Sequence, residues 1–163
     1  MSKIKLSILL LISLLVLTCS NQKILNSNHK LSLGYIGGGT DGLFLRNLLE
    51  SHLRSSDMYD PFSNYIVEVG ISHGGGVFIT NVDNTSDREN VSSTLSINIK
   101  DKVNECISFS FNETVDYFYI YASGETFLSN QKAVEEISKY NTETLIKKFI
   151  TNLSDDKFFC LND

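Results

Sequence analysis

The sequence has few basic residues. Lys and Arg together number 14 against 19 Asp and Glu, which gives a formal net charge of −5. Without Lys3 and Lys5, which lie in the apolar N-terminal segment, 12 basic residues remain against 19 acidic ones, a net charge of −7 (12 − 19). Nucleic-acid-binding surfaces need an excess of positive charge, so this balance argues against a nucleic acid as the partner.

The sequence also lacks the short motifs that identify catalytic and metal sites. Its three histidines, His29, His52 and His73, form neither H-x-x-x-H nor H-E-x-x-H, and no C-x-x-C occurs. No spacing therefore supports a metal site. No G-x-S-x-G motif is present, although a Ser/His/Asp group can assemble in space from any sequence order. We predict no metal, no cofactor and a role without catalysis.

Three glycines do fit the spacing of a dinucleotide-binding loop. Gly37, Gly39 and Gly42 match G-x-G-x-x-G between a predicted strand and a predicted helix. A dinucleotide-binding fold needs this alternation of strand and helix to continue, and here it occurs once. We interpret the glycines as a loose strand-to-helix connection, because glycine tolerates positive φ.

The N-terminal segment indicates export and a lipid anchor. Residues 6–18 are almost wholly apolar, but a helix of that length spans about 20 Å, too short for a bilayer core of about 30 Å. We predict a signal peptide over residues 1–18. V-L-T-C resembles a lipobox and predicts lipidation of Cys19, although Thr18 stands where Gly, Ala or Ser is usual; the alternative is a buried or free Cys19. Residues 19–30 are polar and suit a tether.

Two further cysteines are present, Cys106 and Cys160. In an oxidising compartment they can form a disulfide or remain two separate thiols. The sequence leaves both alternatives open.

The hydrophobic periodicity predicts the order β-α-β-β-β-α. Leu31, Leu33 and Tyr35 alternate in a first strand, and Asp60-Pro61 marks a turn after the first helix. The expected buried positions are Leu45, Leu48, Leu49 and Leu53 in that helix, then Tyr65, Val67, Val69, Ile71, Val91, Ser93, Leu95, Ile97, Ile99, Ile107, Phe109 and Phe111 in strands, and Val134, Ile137, Leu145, Phe149 and Leu153 in a last helix over 129–153. We predict an α+β two-layer sandwich over residues 31–155, a mainly antiparallel sheet covered by two helices, preceded by a signal-peptide helix and followed by a tail at 156–163.

An aromatic run, V-D-Y-F-Y-I-Y, lies in the last predicted strand. Tyr117, Phe118, Tyr119 and Tyr121 place large side chains on both faces of one segment. Either this strand is buried on both sides or lies at an edge, or it forms a contact surface, where Tyr and Phe are favoured.

The order of these features resembles the LptE family of lipopolysaccharide-assembly outer-membrane lipoproteins. The resemblance covers residues 30–153. The matching residues are Leu45, Arg46, Asn47 and Leu49, which fit an L-R-N-x-L core in the first helix, and Tyr117, Tyr121 and Ala122 before the last helix. Ser20 and Asn21 depart from the Gly and aromatic residue that commonly follow the lipidated Cys in this family.

The resemblance implies a role without a reaction. A family member is anchored in the outer membrane on its periplasmic side, plugs the LptD β-barrel, helps it to assemble, and takes part in lipopolysaccharide delivery to the outer leaflet. It implies Arg88, Lys100 and Lys102 as contacts for the glycolipid, and Tyr117, Tyr119 and Tyr121 as further contact candidates. The alternative is a surface or periplasmic lipoprotein that binds another envelope or host ligand.

Overall fold

A computed structural model describes residues 29–79, 87–121, 127–153 and Cys160. The elements are β1 (Leu31–Ile36), α1 (Thr40–Ser55), β2 (Tyr65–Ile79), β3 (Asp87–Asp101), β4 (Cys106–Tyr121) and α2 (Phe127–Leu153). The predicted order β-α-β-β-β-α and the α+β class are confirmed. The predicted signal peptide, most of the tether and all of the tail except Cys160 lie outside the described residues.

The four strands form one mixed sheet in the order β1-β2-β3-β4. β1 pairs with β2 in parallel, and the other neighbouring pairs are antiparallel. The pairing places Leu31, Tyr65, Asp101 and Cys106 in one row across the sheet, and we call this the row end. From there β2 continues for 15 residues, so its other end lies about 46 Å away at roughly 3.3 Å per residue.

Both helices cover the same face of the sheet. α1 contacts β1 and β2, whereas α2 contacts β3 and β4. Alternation in the strands supplies the apolar surface that they cover, since every second side chain points to one face. The core residues are Leu31, Leu45, Leu49, Leu53, Met58, Val67, Val69, Ile71, Leu95, Ile97, Ile99, Phe109, Phe111, Leu145, Ile146, Phe149, Ile150 and Leu153. The predicted core faces of β2 and β3 are therefore confirmed.

The prediction for Ile107 is wrong, because β4 contains a β-bulge. Ile99 pairs with Phe109 and Lys100 pairs with Ile107, which leaves Ser108 as an extra residue. Ser108 is 5% exposed, whereas Ile107 is 37% exposed and lies away from the face of Phe109. A bulge reverses which side chains face the core beyond it. Regular alternation of residue types cannot reveal that reversal.

The first strand is also less regular than its alternation predicts. Its register shifts between Leu33 and Ile36. Leu31 is fully buried and Leu33 packs against the core, but Tyr35 is 75% exposed. The predicted inward face of β1 therefore holds for its first two members only.

The glycine-rich segment connects β1 to α1, as predicted. Gly38 and Gly39 have φ of 120° and 60°, values that glycine adopts without a steric penalty. A Cβ on Gly38 would lie 2.8 Å from Cγ2 of Ile71. The glycines thus let the chain turn closely over β2 before α1 begins.

The last helix buries its C-terminal half most deeply. Phe149 is fully buried and contacts Phe109 and Phe111 edge-on, with ring centroids 6.0 and 5.7 Å apart. Leu145 and Leu153 are also buried, whereas Val134 and Ile137 are half-buried, and the helix begins at Phe127 rather than 129. Within the described ranges, neither helix has an apolar stretch long enough to cross a bilayer.

Candidate functional site

The sheet face opposite the helices, which we call the open face, is polar. It follows from the same alternation that builds the core, because small polar residues occupy every second position of β3 and the matching positions of β4. Its members at the centre are Ser92, Thr94, Ser96, Asn98, Ser110, Asn112, Thr114 and Asp116. Among the residues that the structure describes, no helix packs against this face.

Rows of hydrogen bonds order these side chains. The Thr94 and Thr114 hydroxyls lie 2.8 Å apart, and Ser110 Oγ donates to Asn98 Oδ1 at 2.9 Å. Cross-strand pairs of this kind stabilise neighbouring strands. Hydroxyl and amide groups can each form more than one hydrogen bond. The open face can therefore bind another polar surface while keeping its own cross-strand hydrogen bonds.

Past the polar centre of the sheet, β2, β3 and β4 continue as a three-stranded extension formed by residues 74–79, 87–90 and 118–121. Phe118 and Ile120 are 58% and 76% exposed there, on the side of the open face. Arg88 is exposed and pairs with Ile120. The extension thus combines apolar side chains with one cation.

The predicted tyrosines have different surroundings. Tyr117 is 44% exposed and lies edge-on to Tyr140 of α2, with centroids 5.0 Å apart. The hydrogen bond between the two hydroxyls raises the pKa of Tyr117. Tyr119 is half-buried and its hydroxyl donates to the Glu89 carboxylate. Tyr121 ends β4, and its side chain lies outside the described part of the chain.

The predicted basic residues do not form one cluster. Arg88 lies in the extension, whereas Lys100 and Lys102 lie at the row end, about 40 Å away along β3 at roughly 3.3 Å per residue. Lys100 forms an ion pair with Glu68, with Nζ and Oε2 2.8 Å apart. A single glycolipid phosphate therefore cannot contact all three.

The structure shows the state of two of the three cysteines. Cys106 and Cys160 form a disulfide with their Cα atoms 5.5 Å apart, the first of the two alternatives left open by the sequence. The bond attaches the chain beyond α2 to the row end. Cys19, the predicted lipidation site, lies outside the described residues.

One Ser/His/Asp group does assemble in space, formed by Asp41, His73 and Ser93. His73 Nδ1 lies 2.7 Å from Ser93 Oγ, and Nε2 lies 3.8 Å from Asp41 Oδ2. Burial lowers the pKa of His73, and the nearby Asp41 carboxylate opposes that shift. Ser93, however, is fully buried, so a substrate cannot reach its hydroxyl. We interpret the group as a polar junction between α1, β2 and β3.

Asn141 completes this junction and is a residue that the sequence pattern did not reveal. It is fully buried in α2, and its Nδ2 donates to Ser93 Oγ and to the Val91 carbonyl, both at 3.1 Å. A groove of about 570 Å³ opens beside the junction, between the start of α1 and α2. Among the described residues, no group of three or more His, Cys, Asp or Glu side chains could hold a metal ion.

No known protein family and no curated protein matches the sequence. Among solved structures, the chain is similar to rare lipoprotein B from Shewanella oneidensis, with a TM-score of 0.62 and 13% identity; the match covers 77% of this chain and 94% of that one. It is also similar to a minor lipoprotein from Acinetobacter baumannii, with a TM-score of 0.61, 16% identity, and coverage of 82% and 96%. Rare lipoprotein B belongs to the LptE family. The resemblance inferred from the sequence is thus confirmed at the level of the fold.

Proposed function

We propose that this protein is an outer-membrane lipoprotein that occupies the lumen of a large β-barrel partner of the LptD type. In that role it helps the barrel to assemble and takes part in delivering lipopolysaccharide to the outer leaflet. Cys19 carries the lipid, which anchors the protein from the periplasmic side of the outer membrane. The protein performs no chemical reaction in this role.

The observation that carries the proposal is the open face. A sheet that packs helices on one side only leaves a broad polar surface on the other, here ordered by cross-strand hydrogen bonds such as Thr94–Thr114. The interior of a large membrane barrel is polar and water-filled. A surface of fixed hydroxyl and amide groups suits that interior, because it binds through hydrogen bonds and water rather than through apolar burial.

Two further observations support the proposal. The fold is shared with rare lipoprotein B and with a minor lipoprotein, which favours an envelope lipoprotein over an unrelated kind of protein. The buried hydroxyl of Ser93 disfavours a hydrolase. For lipopolysaccharide, we propose contact through Arg88 beside the exposed Phe118 and Ile120, because phosphate and acyl chain would meet a cation and apolar surface there.

Co-purification tests the barrel role directly. The full-length protein is extracted in detergent from its own cells, and the proteins that accompany it are identified by mass spectrometry. The variant Thr94→Arg with Thr114→Arg places two bulky cations on the open face. We expect a large outer-membrane barrel protein to co-purify with the natural protein. The amount of this barrel protein should be about tenfold or more lower with the variant, because an unpaired charge at an interface costs binding free energy.

The matched control is Asn47→Arg, which adds a cation on the exposed side of α1, opposite the covered sheet face. It should leave the amount of barrel unchanged. Extracts of the natural protein without any barrel would overturn the proposal. So would equal losses in the two variants, because then the open face is not the contact.

A second candidate function rests on the extension. Phe118 and Ile120 are large apolar side chains at 58% and 76% exposure, and exposed apolar residues in company are typical of binding surfaces. On this reading the protein is a surface or periplasmic lipoprotein that binds another envelope or host ligand. Protease added to intact cells distinguishes the two: a ligand-binding surface lipoprotein is cleaved, whereas a barrel plug is shielded.

A further inference from the structure

Three apolar side chains are exposed at the row end of the domain. Phe62 is 90% exposed, Val103 is 68% exposed and Ile107 is 37% exposed. Phe62 lies in the turn between α1 and β2, and Val103 lies in the turn between β3 and β4. We call these three residues the row-end patch.

The two turns are neighbours in space. The backbone N–H of Lys102 donates to the Asn64 carbonyl at 3.0 Å, and the adjacent residues Tyr65 and Asp101 pair across the sheet. Ile107 pairs with Lys100 on the next strand, one position inside the row. The turns that carry Phe62 and Val103 therefore lie side by side at one end of the sheet, although about 40 residues separate them in the sequence.

Each turn holds its apolar residue in the same way. The Asp60 carboxylate accepts the Phe62 N–H at 2.9 Å, and the Asp101 carboxylate accepts the Val103 N–H at 2.8 Å. A hydrogen bond from an aspartate to the residue two positions later orders a tight turn. The hydrogen bond from the Asn104 side chain and the bond from Val103 lower the pKa of Asp101, so that carboxylate remains charged. Phe62 and Val103 are thus presented on ordered turns.

The polypeptide that leads to Cys19 starts from this same end. The Leu31 N–H donates to the Met58 carbonyl at 2.7 Å, and the Asp60 N–H donates to the Leu31 carbonyl at 2.9 Å. From Leu31 back to Cys19 there are 12 residues, which reach at most about 42 Å when fully extended. The far end of the extension lies about 46 Å beyond the row. A lipid on Cys19 therefore attaches the domain to the bilayer through its row end, and the tether is too short for an inverted domain that stands on its extension.

From these observations we infer that the row-end patch docks on the phospholipid leaflet that holds the anchor, with Phe62 and Val103 inserted at the interface. The inference rests on the lipid anchor of the proposed function. Aromatic and aliphatic side chains favour the interfacial region, and a second contact beside one lipid anchor strengthens membrane attachment.

Apolar insertion, rather than charge, drives this docking. Lys30 at this end forms an ion pair with Asp57 at 2.9 Å, and Lys100 forms one with Glu68 at 2.8 Å. Lys102 adds a positive charge at this end, but Glu105 lies in the same turn and offsets it. The contact should therefore be only weakly sensitive to salt, unlike binding through a basic cluster.

The absence of tryptophan from the chain allows a direct test. The full-length lipidated Phe62→Trp variant is reconstituted into vesicles of phosphatidylethanolamine and phosphatidylglycerol with brominated acyl chains, which quench nearby tryptophan. We expect roughly twofold or greater quenching relative to unbrominated vesicles, nearly unchanged in high salt, because the side chain lies in the acyl boundary. The matched control, Leu128→Trp, replaces a leucine that is 78% exposed near the start of α2, far from the row end, and should show no quenching.

A second pair of variants keeps the inference testable if one substitution disturbs the protein. Val103→Trp should be quenched like Phe62→Trp, and adding Val103→Asp to Phe62→Trp should remove the quenching. If the protein stays on the vesicles but the tryptophan at position 62 is not quenched, the docking inference is wrong and the barrel proposal is unaffected. Protein that is not retained overturns the lipid anchor and the docking with it. Quenching at position 62 without barrel co-purification supports the docking alone.

Discussion

The helix-covered part of the sheet and the extension share the strands β2, β3 and β4, yet their apolar side chains differ in what lies against them. Under the helices, Leu95, Ile97 and Phe111 are at most 6% exposed. In the extension, Phe118 and Ile120 are 58% and 76% exposed. All five residues are apolar. The first three lie on the sheet face that α1 and α2 cover, whereas the last two lie on the open face, which no described helix covers.

This difference separates the side chains that stabilise the fold from those that are available to bind another molecule. Burial of apolar surface stabilises a fold by about 25 cal/mol per Å² removed from water. Side chains under the helices contribute that free energy within the chain. Those in the extension can contribute it only when another molecule covers them. We therefore expect substitutions in the covered part to change stability and those in the extension to change binding.

The largest expected effect is that of Phe149→Ala. Phe149 is fully buried against Phe109 and Phe111, and replacing a buried phenylalanine by alanine costs about 3–5 kcal/mol through lost burial and a cavity. Urea unfolding measures the change. The matched substitution Phe118→Ala in the extension should cost about 1 kcal/mol or less. Equal costs would remove the distinction between the two parts.

Breaking the disulfide should have the next largest effect. The bond joins Cys106 at the row end to Cys160, 54 positions later, and closing a loop of this kind typically contributes roughly 2–4 kcal/mol by restricting the unfolded chain. We expect Cys160→Ser, or a reducing agent on the natural protein, to lower the free energy of unfolding by that amount. An unchanged midpoint in reducing agent would mean that the bond is absent.

Asn141→Ala tests a buried hydrogen-bonding side chain close to where the covered part meets the extension. Its side chain donates to Ser93 Oγ and the Val91 carbonyl inside the covered part. Removing this buried donor takes one hydrogen bond from each of the two acceptors and costs about 1–3 kcal/mol. Asn112→Ala on the open face is the control and should cost within about 0.5 kcal/mol of zero. Both are read from urea unfolding, and a control that costs as much as Asn141→Ala would refute the assignment.

The smallest effect is a pH dependence from His73. Burial lowers its pKa below the ordinary value of 6.5, more than Asp41 raises it, so the unfolded chain binds the proton more readily. The stability that neutral His73 contributes is complete above pH 6.5 and decreases as the pH falls toward the lowered pKa of the folded state. Unfolding midpoints at about pH 7.5 and about pH 5.5 should differ more in the natural protein than in His73→Gln. A larger difference in His73→Gln would reverse the expected sign.

Local patterns were sufficient for most of the architecture. The alternation of Val91, Leu95 and Ile99 with serine and asparagine predicts both the core face and the open face of β3. Helical spacing likewise predicts Leu45, Leu49 and Phe149 as buried, and all three are. Such patterns succeed because each element buries one side, and the spacing of apolar residues within a short segment shows which side that is.

The pattern failed where a partner strand decides the outcome. I-S-F-S-F alternates regularly around Phe109, but the register against Ile99 inserts Ser108 and turns Ile107 outward. The Asp41–His73–Ser93 group and the row-end patch were likewise absent from any local motif. Their members lie far apart in the chain and meet only when the strands have paired.

By itself, then, the sequence determined the order of the elements, which side of each element is apolar, the acidic surface and the resemblance to LptE. Only the tertiary structure decided the bulge at Ser108, the separation of Arg88 from Lys100 and Lys102, and the adjacency of the two turns that carry Phe62 and Val103. The physical reason is one of range. Periodicity and composition act between neighbours in sequence, whereas strand register and the adjacency of turns depend on contacts between residues distant in the chain.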